Sequence, residues 1–300
     1  MARRRIRLSP WPVLSLPGIA WLALFFLAPL YVVLAIVFGS VDPTFRTPAP
    51  IWNPLHWQAG QLTYVLDRIV GSNAVFGPAL LRTLVYVLVA STLCLTIAFP
   101  VAYYVARLST RRKGLILALL IAPFWISYMM RMLAWVNLLG TDGLVNKTLS
   151  LGGLFDVHVD WLSGRSIVVI LGLVYGYVPY MILPLYAGLD RLPQSMLEAA
   201  RDLGANRARA FVRVVLPMCR PTIIAGVLLT SLPMLGDYYT NDLLSGSPNT
   251  AMAGNLIDQT VLTPGETGYA GAFVLLVLVV SLVPMLYYVR SVARSELTAT

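Results

Sequence analysis

Five apolar runs long enough to cross a lipid bilayer constrain the fold of this chain more than any other feature. A helix needs about 20 mostly apolar residues to span the hydrocarbon core. Runs of about that length occupy residues 19–38, 84–105, 115–138, 167–189 and 271–289. Because lipid offers no partners to backbone polar groups, each run is predicted to be a helix. The composition agrees, since 58% of the residues are hydrophobic and only 12% are charged.

A sixth span is predicted from residue 222, but its apolar part ends at Leu235 and is too short to cross the bilayer. The helix therefore either stops inside the membrane or continues through the polar residues Gly236, Asp237, Tyr238 and Tyr239. We expect an all-α, polytopic membrane protein with six transmembrane helices.

The distribution of Lys and Arg predicts the orientation of these helices. Most of the 22 basic residues lie in segments 3–7, 107–113, 191–220 and 290–294. Basic loops stay in the cytoplasm, so both termini are predicted to be cytoplasmic. The formal net charge of +9 is thus a topology signal. A nucleic-acid partner is not expected, because the basic residues do not form one patch.

No motif for catalysis or energy conversion is present in the sequence. A phosphate-binding loop needs a lysine in a glycine-rich context, and neither Lys113 nor Lys147 has one. His56 and His158 lie in different loops without metal-ligand spacing, so no metal site is expected. We therefore predict that the chain is not an enzyme and holds no cofactor of its own.

Residues 198–217 form a charged island that is predicted to fold as two short amphipathic helices. Gly204 lies where a left-handed residue ends the first helix, and Asn206 can cap the second. The two apolar stripes are Met196, Leu197, Ala200 and Leu203, then Ala208, Phe211, Val212 and Val215. Taken alone, this pattern fits either insertion into a cleft of another protein or two helices lying on the membrane surface.

The spacing within the island resembles the EAA loop of the membrane subunits of bacterial ABC importers. Glu198, Ala199 and Ala200 are followed after three residues by Gly204, and after nine more by Val214, Leu216 and Pro217. The resemblance implies a type I importer permease whose loop is a coupling helix in a groove of a cytoplasmic ATPase. The coupling residues it implies are Glu198, Ala199, Ala200, Arg201, Asp202, Gly204 and Arg207.

Further stretches, within residues 92–103, 123–135 and 236–255, resemble the spermidine/putrescine permeases of this family. One departure follows Asp237 and Tyr238, where the family pattern usually reads Val-Thr-Pro and this chain has Tyr239, Thr240 and Asn241. The resemblance runs from about residue 81 to the C-terminus. We therefore divide the chain into residues 1–80, with the N-terminal tail, the first span and an outer loop, and residues 81–300, the permease core with its coupling loop at about 190–220.

The resemblance also implies partners and a cargo. These are an ABC ATPase homodimer that carries ATP and Mg, a second homologous permease, an external solute-binding protein and membrane lipid. The cargo would be a polyamine. Two alternatives remain open: a permease for another small organic solute, and a stand-alone channel or secondary carrier in which the island is a surface element.

Two ionisable residues are expected at membrane depth, where a charge is costly unless it is paired or faces water. Arg131 and Asp237 lie 16 and 15 residues into their predicted spans, about 23 to 24 Å at 1.5 Å per residue. One hypothesis is an ion pair that acts as a gate. A second makes Asp237 a ligand for a cationic solute, and a third has it merely begin the outer loop. In the second hypothesis, aromatic rings surround the cationic solute, and these are Tyr128, Trp135, Tyr238 and Tyr239.

Two further predictions concern the outer loop and the helix bends. In the loop at residues 39–81, Leu62, Val65, Leu66 and Ile69 have helical spacing and predict a helix at the membrane interface, as an anchor or as a contact with an external partner. Bends that permit rocking are predicted at Pro179, Pro184 and Pro233, with Gly172 and Gly176.

Overall fold

The computed structural model describes residues 11–71, 74–107, 110–151 and 159–297, so the basic tail at 3–7 and His158 lie outside the described residues. The described chain is almost entirely helical. Its helices are α1 (Trp11–Val37), α2 (Gly60–Val70), α3 (Phe76–Arg107), α4 (Thr110–Ile121), α5 (Tyr128–Leu139), α6 (Leu144–Leu151), α7 (Ser166–Asp190), α8 (Gln194–Asp202), α9 (Arg207–Ala210), α10 (Leu216–Met218), α11 (Arg220–Leu235), α12 (Tyr239–Leu244), α13 (Ala253–Leu262) and α14 (Thr267–Leu297).

Smaller elements complete the fold. Strands β1 (Ser40–Val41) and β2 (Pro48–Ala49) pair antiparallel, with Ser40 opposite Ala49. Short 3-10 helices cover Pro54–His56 and Ala122–Trp125. A π-helix, Phe211–Val215, joins α9 to α10.

Four helices, α1, α3, α7 and α14, are long and apolar enough to cross a membrane by themselves. Two bent helix pairs pass the same test when each pair is taken together, at residues 112–150 and 207–235. The described residues therefore contain four to six candidate spans. The all-α membrane class is confirmed, while the number six requires each bent pair to be one span.

The third predicted span is not a continuous helix, and that expectation was wrong. The segment 115–138 is interrupted by the 3-10 helix Ala122–Trp125 and by extended backbone at Ile126 and Ser127, and the chain bends by 82°. Pro123 supplies the reason, because proline has no N–H to donate and its ring crowds the preceding turn. The depth of Arg131 counted along a straight helix therefore does not apply.

The structure shows where the span that was predicted from residue 222 ends. Helix α11 ends at Leu235, and Gly236 follows as its C-terminal cap. The polar segment then starts a separate short helix, α12. A second bend, of 66°, separates α11 from the helical segment that ends at Met218. The span thus stops after Leu235 and does not run on through Asp237.

Helices α3, α7 and α11 form the centre of the molecule. Ala90 and Ala98 of α3 are fully buried, as are Leu173, Met181 and Leu185 of α7. Small residues let helix backbones approach closely, which is how helices associate where no water drives them together. One core therefore joins all three helices along most of the length of α7.

Glycines of α7 mark close contacts with neighbouring helices. A Cβ atom at Gly172 would come within 2.7 Å of the Thr240 methyl group, and one at Gly176 would come within 2.6 Å of Cε2 of Tyr128. Pro179 and Pro184, predicted as bends, lie within one uninterrupted helix. The glycines thus bring α5 and α12 against the middle of α7, where the candidate site is found.

The predicted helix in the outer loop is confirmed as α2. It packs on α14, with Val65 fully buried and the rings of Tyr64 and Tyr269 at 4.4 Å between centroids. The Gln61 side chain donates to the carbonyl oxygen of Gly39 at 3.1 Å. Helix α2 is therefore held against α14 and against the chain at Gly39.

Candidate functional site

Asp237 lies between α11 and α12, and only 6% of it is exposed. The backbone N–H of Thr240 donates to Oδ1 at 3.0 Å, and the Thr240 hydroxyl donates to Oδ2 at 2.7 Å. An aspartate that accepts from an N–H three residues later is a helix-capping arrangement. Asp237 thus lies one residue before Tyr238, the N-cap of α12, with its side chain turned into the protein.

Two tyrosines complete the surroundings of the Asp237 carboxylate. The Tyr128 hydroxyl of α5 donates to Oδ2 at 2.8 Å, and the Tyr177 hydroxyl of α7 donates to the same atom at 3.1 Å. A buried charge is costly unless hydrogen bonds replace the lost water, and hydrogen bonds to an ionised acceptor are the stronger kind. Four donors from three helical segments therefore satisfy this carboxylate.

Tyr177 did not figure in the sequence prediction of the site. It lies in the apolar run of α7, eleven residues after Ser166 and thirteen before Asp190, so the site is near the middle of that helix. A hydroxyl within an apolar span was the available signal, because such groups seek a polar partner in lipid.

Arg131 forms no ion pair with Asp237 in this structure. Among the described residues the one ion pair joins Lys113 to Asp190, at 2.5 Å. Arg131 is 7% exposed, and its Nε and Nη1 have no hydrogen-bond partner. Its guanidinium instead lies over aromatic rings at 4.2, 5.4 and 5.8 Å from their centroids, those of Phe124, Tyr128 and Tyr175. Tyr128 thus contacts both charges, its ring facing Arg131 and its hydroxyl facing Asp237.

The four aromatic residues proposed as walls around Asp237 are dispersed. Tyr128 contacts the carboxylate, whereas the Trp135 ring packs edge-on against Tyr175 at 5.4 Å. Tyr238 and Tyr239 stack on each other with centroids 4.1 Å apart. Asp237 therefore has hydroxyl neighbours in place of the predicted aromatic cage.

Asn255 of α13 ties the polar segment together. Its Nδ2 donates to the Tyr238 carbonyl at 2.9 Å and to Oδ1 of Asp242 at 2.6 Å, while its Oδ1 accepts from the Met252 N–H at 2.9 Å. Burial raises the pKa of Asp242, and the hydrogen bond from Asn255 opposes that rise. At Gly254 a Cβ would come within 2.8 Å of the Asp237 carbonyl oxygen. These contacts join the start of α13 to Asp237, Tyr238 and Asp242.

The first helix and the turn of the charged island fold as predicted, whereas a π-helix, Phe211–Val215, divides the second helix, which continues past Pro217 to Met218. Gly204 follows α8 with φ of +82°, the left-handed conformation, and has open space around it. Asn206 caps α9 by accepting from the Arg209 N–H at 2.8 Å. The turn presents Leu203 to the outside, with 89% of this residue exposed. The implied coupling residues that are exposed are Glu198, Ala199, Arg201, Asp202, Gly204 and Arg207, while Ala200 is half-buried.

The opposite face of the island rests on the helical core. The Phe211 ring packs edge-on against Phe99 and Tyr103 of α3, at 5.4 and 6.1 Å between centroids. Val215 is buried, and Leu197 packs against the same core. The island is thus fixed to α3 on one side, and its charged rim and Gly204 remain open on the other.

Residues 97–296 match the family model of the binding-protein-dependent transport system inner membrane component. This range contains the island, Arg131, Asp237 and the core helices α7 and α11. The chain belongs to this family. It is therefore a transport component of the inner membrane, and the predicted ABC permease assignment is confirmed.

Several curated relatives are similar over most of the chain. The spermidine/putrescine transport system permease protein PotB of Escherichia coli (strain K12) is 34% identical over 230 residues, covering 76% of this chain and 83% of the relative. The PotB protein of Haemophilus influenzae is 33% identical over 278 residues, 90% of each chain. The E. coli inner membrane ABC transporter permease protein YdcU is 34% identical over 218 residues, 68% of this chain and 69% of the relative.

The fold is also found in solved structures. A chain of a bacterial alginate ABC transporter, crystallised in complex with a periplasmic protein bound to an alginate pentasaccharide, superimposes with a TM-score of 0.72 over 93% of both chains. Its sequence identity is 18%. A second structure, of a bacterial ABC transporter involved in alginate import, gives a TM-score of 0.60 at 16% identity over 98% of both chains. The likeness at this identity concerns the fold.

Removing the Tyr128 hydroxyl tests the hydrogen bonds around Asp237. We expect Tyr128→Phe to lower the free energy of unfolding by about 2 kcal/mol, because a buried carboxylate loses one donor. The measurement is denaturation of the purified protein in detergent. Tyr175→Phe is the matched control, because no hydrogen bond to its hydroxyl is found in the described part of the chain, and it should leave stability unchanged. Equal losses in the two variants would contradict this account of Asp237.

Proposed function

We propose that the chain is the permease subunit of an ATP-driven importer for polyamines of the spermidine and putrescine type. Family membership and the similarity to PotB proteins over most of the chain support this substrate class. The charge of the chain between α11 and α14 favours this substrate class too. Residues 221–289 contain Asp237, Asp242, Asp258 and Glu266 but no Lys or Arg. A cationic solute meets attraction there, whereas an anionic one meets repulsion.

The proposed topology has six spans with both termini in the cytoplasm. Counting one span in each bent pair gives six, with α11 as the crossing part of the second pair. Two contacts support a shared basic face. Lys113, at the start of α4, pairs with Asp190, at the end of α7, and Phe211 of the island packs on Tyr103 near the end of α3. Basic segments gathered at one end of the helices fit the cytoplasmic side.

The proposed energy source for transport is ATP hydrolysis by a separate ATPase homodimer, which docks on the island. Its open rim offers both charges and an exposed apolar residue, Leu203, next to a turn without side-chain bulk at Gly204. ATP and Mg would bind to that partner, and this chain would hold neither. A second homologous permease and an external solute-binding protein complete the proposed assembly.

The substrate is tested with the assembled transporter in proteoliposomes, together with its binding protein. We expect spermidine or putrescine to stimulate ATP hydrolysis and to accumulate inside, while uncharged diols of the same length should do neither. Stimulation by another solute class in place of polyamines would contradict the substrate. ATP-independent solute movement by the purified chain alone would favour the stand-alone channel or carrier.

The turn at Gly204 predicts how the island responds to substitution. Gly204→Val should weaken co-purification with the ATPase and abolish solute-stimulated ATP hydrolysis, because a β-branched residue is strained at φ of +82°. Gly204→Asn is the matched control, because asparagine tolerates this conformation. It should retain most of the coupling. If both variants behave like the unmodified protein, the island is not the ATPase contact.

We further propose that Arg131 and Asp237 form an ion pair in another conformation of the transport cycle. Arg131 has unpaired N–H groups in a buried position, which is costly and favours a partner. Tyr128, which contacts both residues, would leave Asp237 as Arg131 approaches. The pair would then act as a gate beside the middle of α7.

A double-mutant cycle tests the gate. Asp237→Asn and Arg131→Gln should each reduce polyamine uptake by more than tenfold, and the double mutant should lose little more than either single variant. Arg131→Lys keeps the charge and should retain part of the uptake. Independent and additive losses in the cycle would contradict the pairing.

A further inference from the structure

A groove between α11, α13 and α14 has a carboxylate at its polar end. It encloses about 560 Å³ and is mostly apolar, and we call it the α11–α14 groove. Its lining extends along α14 from Val274 to Met285, about 16 Å at 1.5 Å per residue. Representative lining residues are Leu232, Tyr238, Ile257, Asp258, Val277 and Met285.

Asp258 differs from Asp237 and Asp242 in its hydrogen bonding. Asp237 accepts four hydrogen bonds and Asp242 accepts one from Asn255. No donor reaches the Asp258 carboxylate among the residues that the structure describes, and it is half-exposed in the groove. Asp258 is therefore the carboxylate available to a solute.

The surroundings of Asp258 suit a cation. A hydrogen bond with Tyr239 is the main cause that raises the pKa of Tyr238, to about 12, and the charges of Asp258 and Asp242 contribute. Tyr238 and Asp258 both line the groove. None of the groove's described lining residues is basic. An ammonium group in this position meets a carboxylate and an aromatic ring, the two partners that cations prefer.

We infer that the α11–α14 groove binds a linear alkylammonium, with its terminal ammonium on Asp258 and its methylene chain along the apolar walls. The inference rests on the proposed polyamine function. It makes Asp258 the carboxylate that binds the solute, whereas one hypothesis from the sequence gave that role to Asp237. A mostly apolar groove with a carboxylate at one end matches an ammonium group that is attached to a methylene chain.

Cysteine protection tests this assignment in the assembled transporter. Val261→Cys places a thiol in the groove at a position that is 47% exposed, and Leu262→Cys places one next to it, outside the groove, at 74% exposure. At ten times its half-protecting concentration, spermidine should slow maleimide labelling of Cys at 261 about tenfold, by mass action. Labelling at 262 should be unaffected.

Variants of Asp258 identify the group that holds the solute. In the Val261→Cys background, Asp258→Asn should raise the half-protecting spermidine concentration about tenfold, because a charge-assisted hydrogen bond is lost. Asp258→Glu should restore most of the protection. Unchanged protection in Asp258→Asn would overturn the inference.

Two further outcomes separate the possible failures. If Cys at 261 labels in the isolated chain but not in the solute-free assembled transporter, the second permease covers the groove and the inference is overturned. If polyamine uptake is intact but spermidine gives no protection, the inference fails while the proposed function stands. If the transporter moves no polyamine at all, the proposed function itself fails.

Discussion

A carboxylate buried away from water must find donors within the protein, and Asp237 draws them from three separate parts of the chain. Tyr128 comes from the broken third span, Tyr177 from the middle of α7 and Thr240 from α12, the short helix that follows Asp237. These segments also share apolar contacts, since Met132 of α5, Val168 of α7 and Leu244 of α12 belong to one buried cluster. The Asp237 carboxylate adds the polar contact that joins α5, α7 and α12 at this point.

The space for this arrangement comes from glycine. Tyr128 reaches Asp237 because Gly176 has no side chain where the tyrosine ring passes, and Thr240 and Leu244 lie close to Gly172 for the same reason. A larger residue at Gly176 would displace the tyrosine ring and with it a donor to the carboxylate. Helix packing and the hydrogen bonding of Asp237 therefore depend on each other, since the same tyrosine contacts Gly176 and the carboxylate.

Local signals in the sequence were sufficient for some elements. Hydropathy identified the apolar helices, because burial in lipid demands a minimum length. The end of α8 at Gly204 and the cap at Asn206 depend on neighbouring residues alone, and both were predicted correctly. The break in the third span was missed because residues on both sides of it are equally apolar, and only Pro123 marks it.

The partners of the candidate site could not be derived in the same way. One hypothesis paired Arg131 with Asp237, because they carry opposite charges at similar predicted depth. The structure instead places aromatic rings beside Arg131 and hydroxyls beside Asp237. Which neutral groups lie beside a charge depends on how distant segments meet. Tyr177 and Tyr128 are 49 positions apart in the sequence, and nothing local relates them.

The first helix has a different relation to the rest of the molecule. Only its C-terminal end, at Ala35 and Val37, is buried against the other helices, while large side chains from Leu14 to Leu27 are more than half exposed. Those side chains add nothing to the interior of this chain. The first half of α1 therefore does not depend on packing within this chain, and shortening it there would leave the helical core intact.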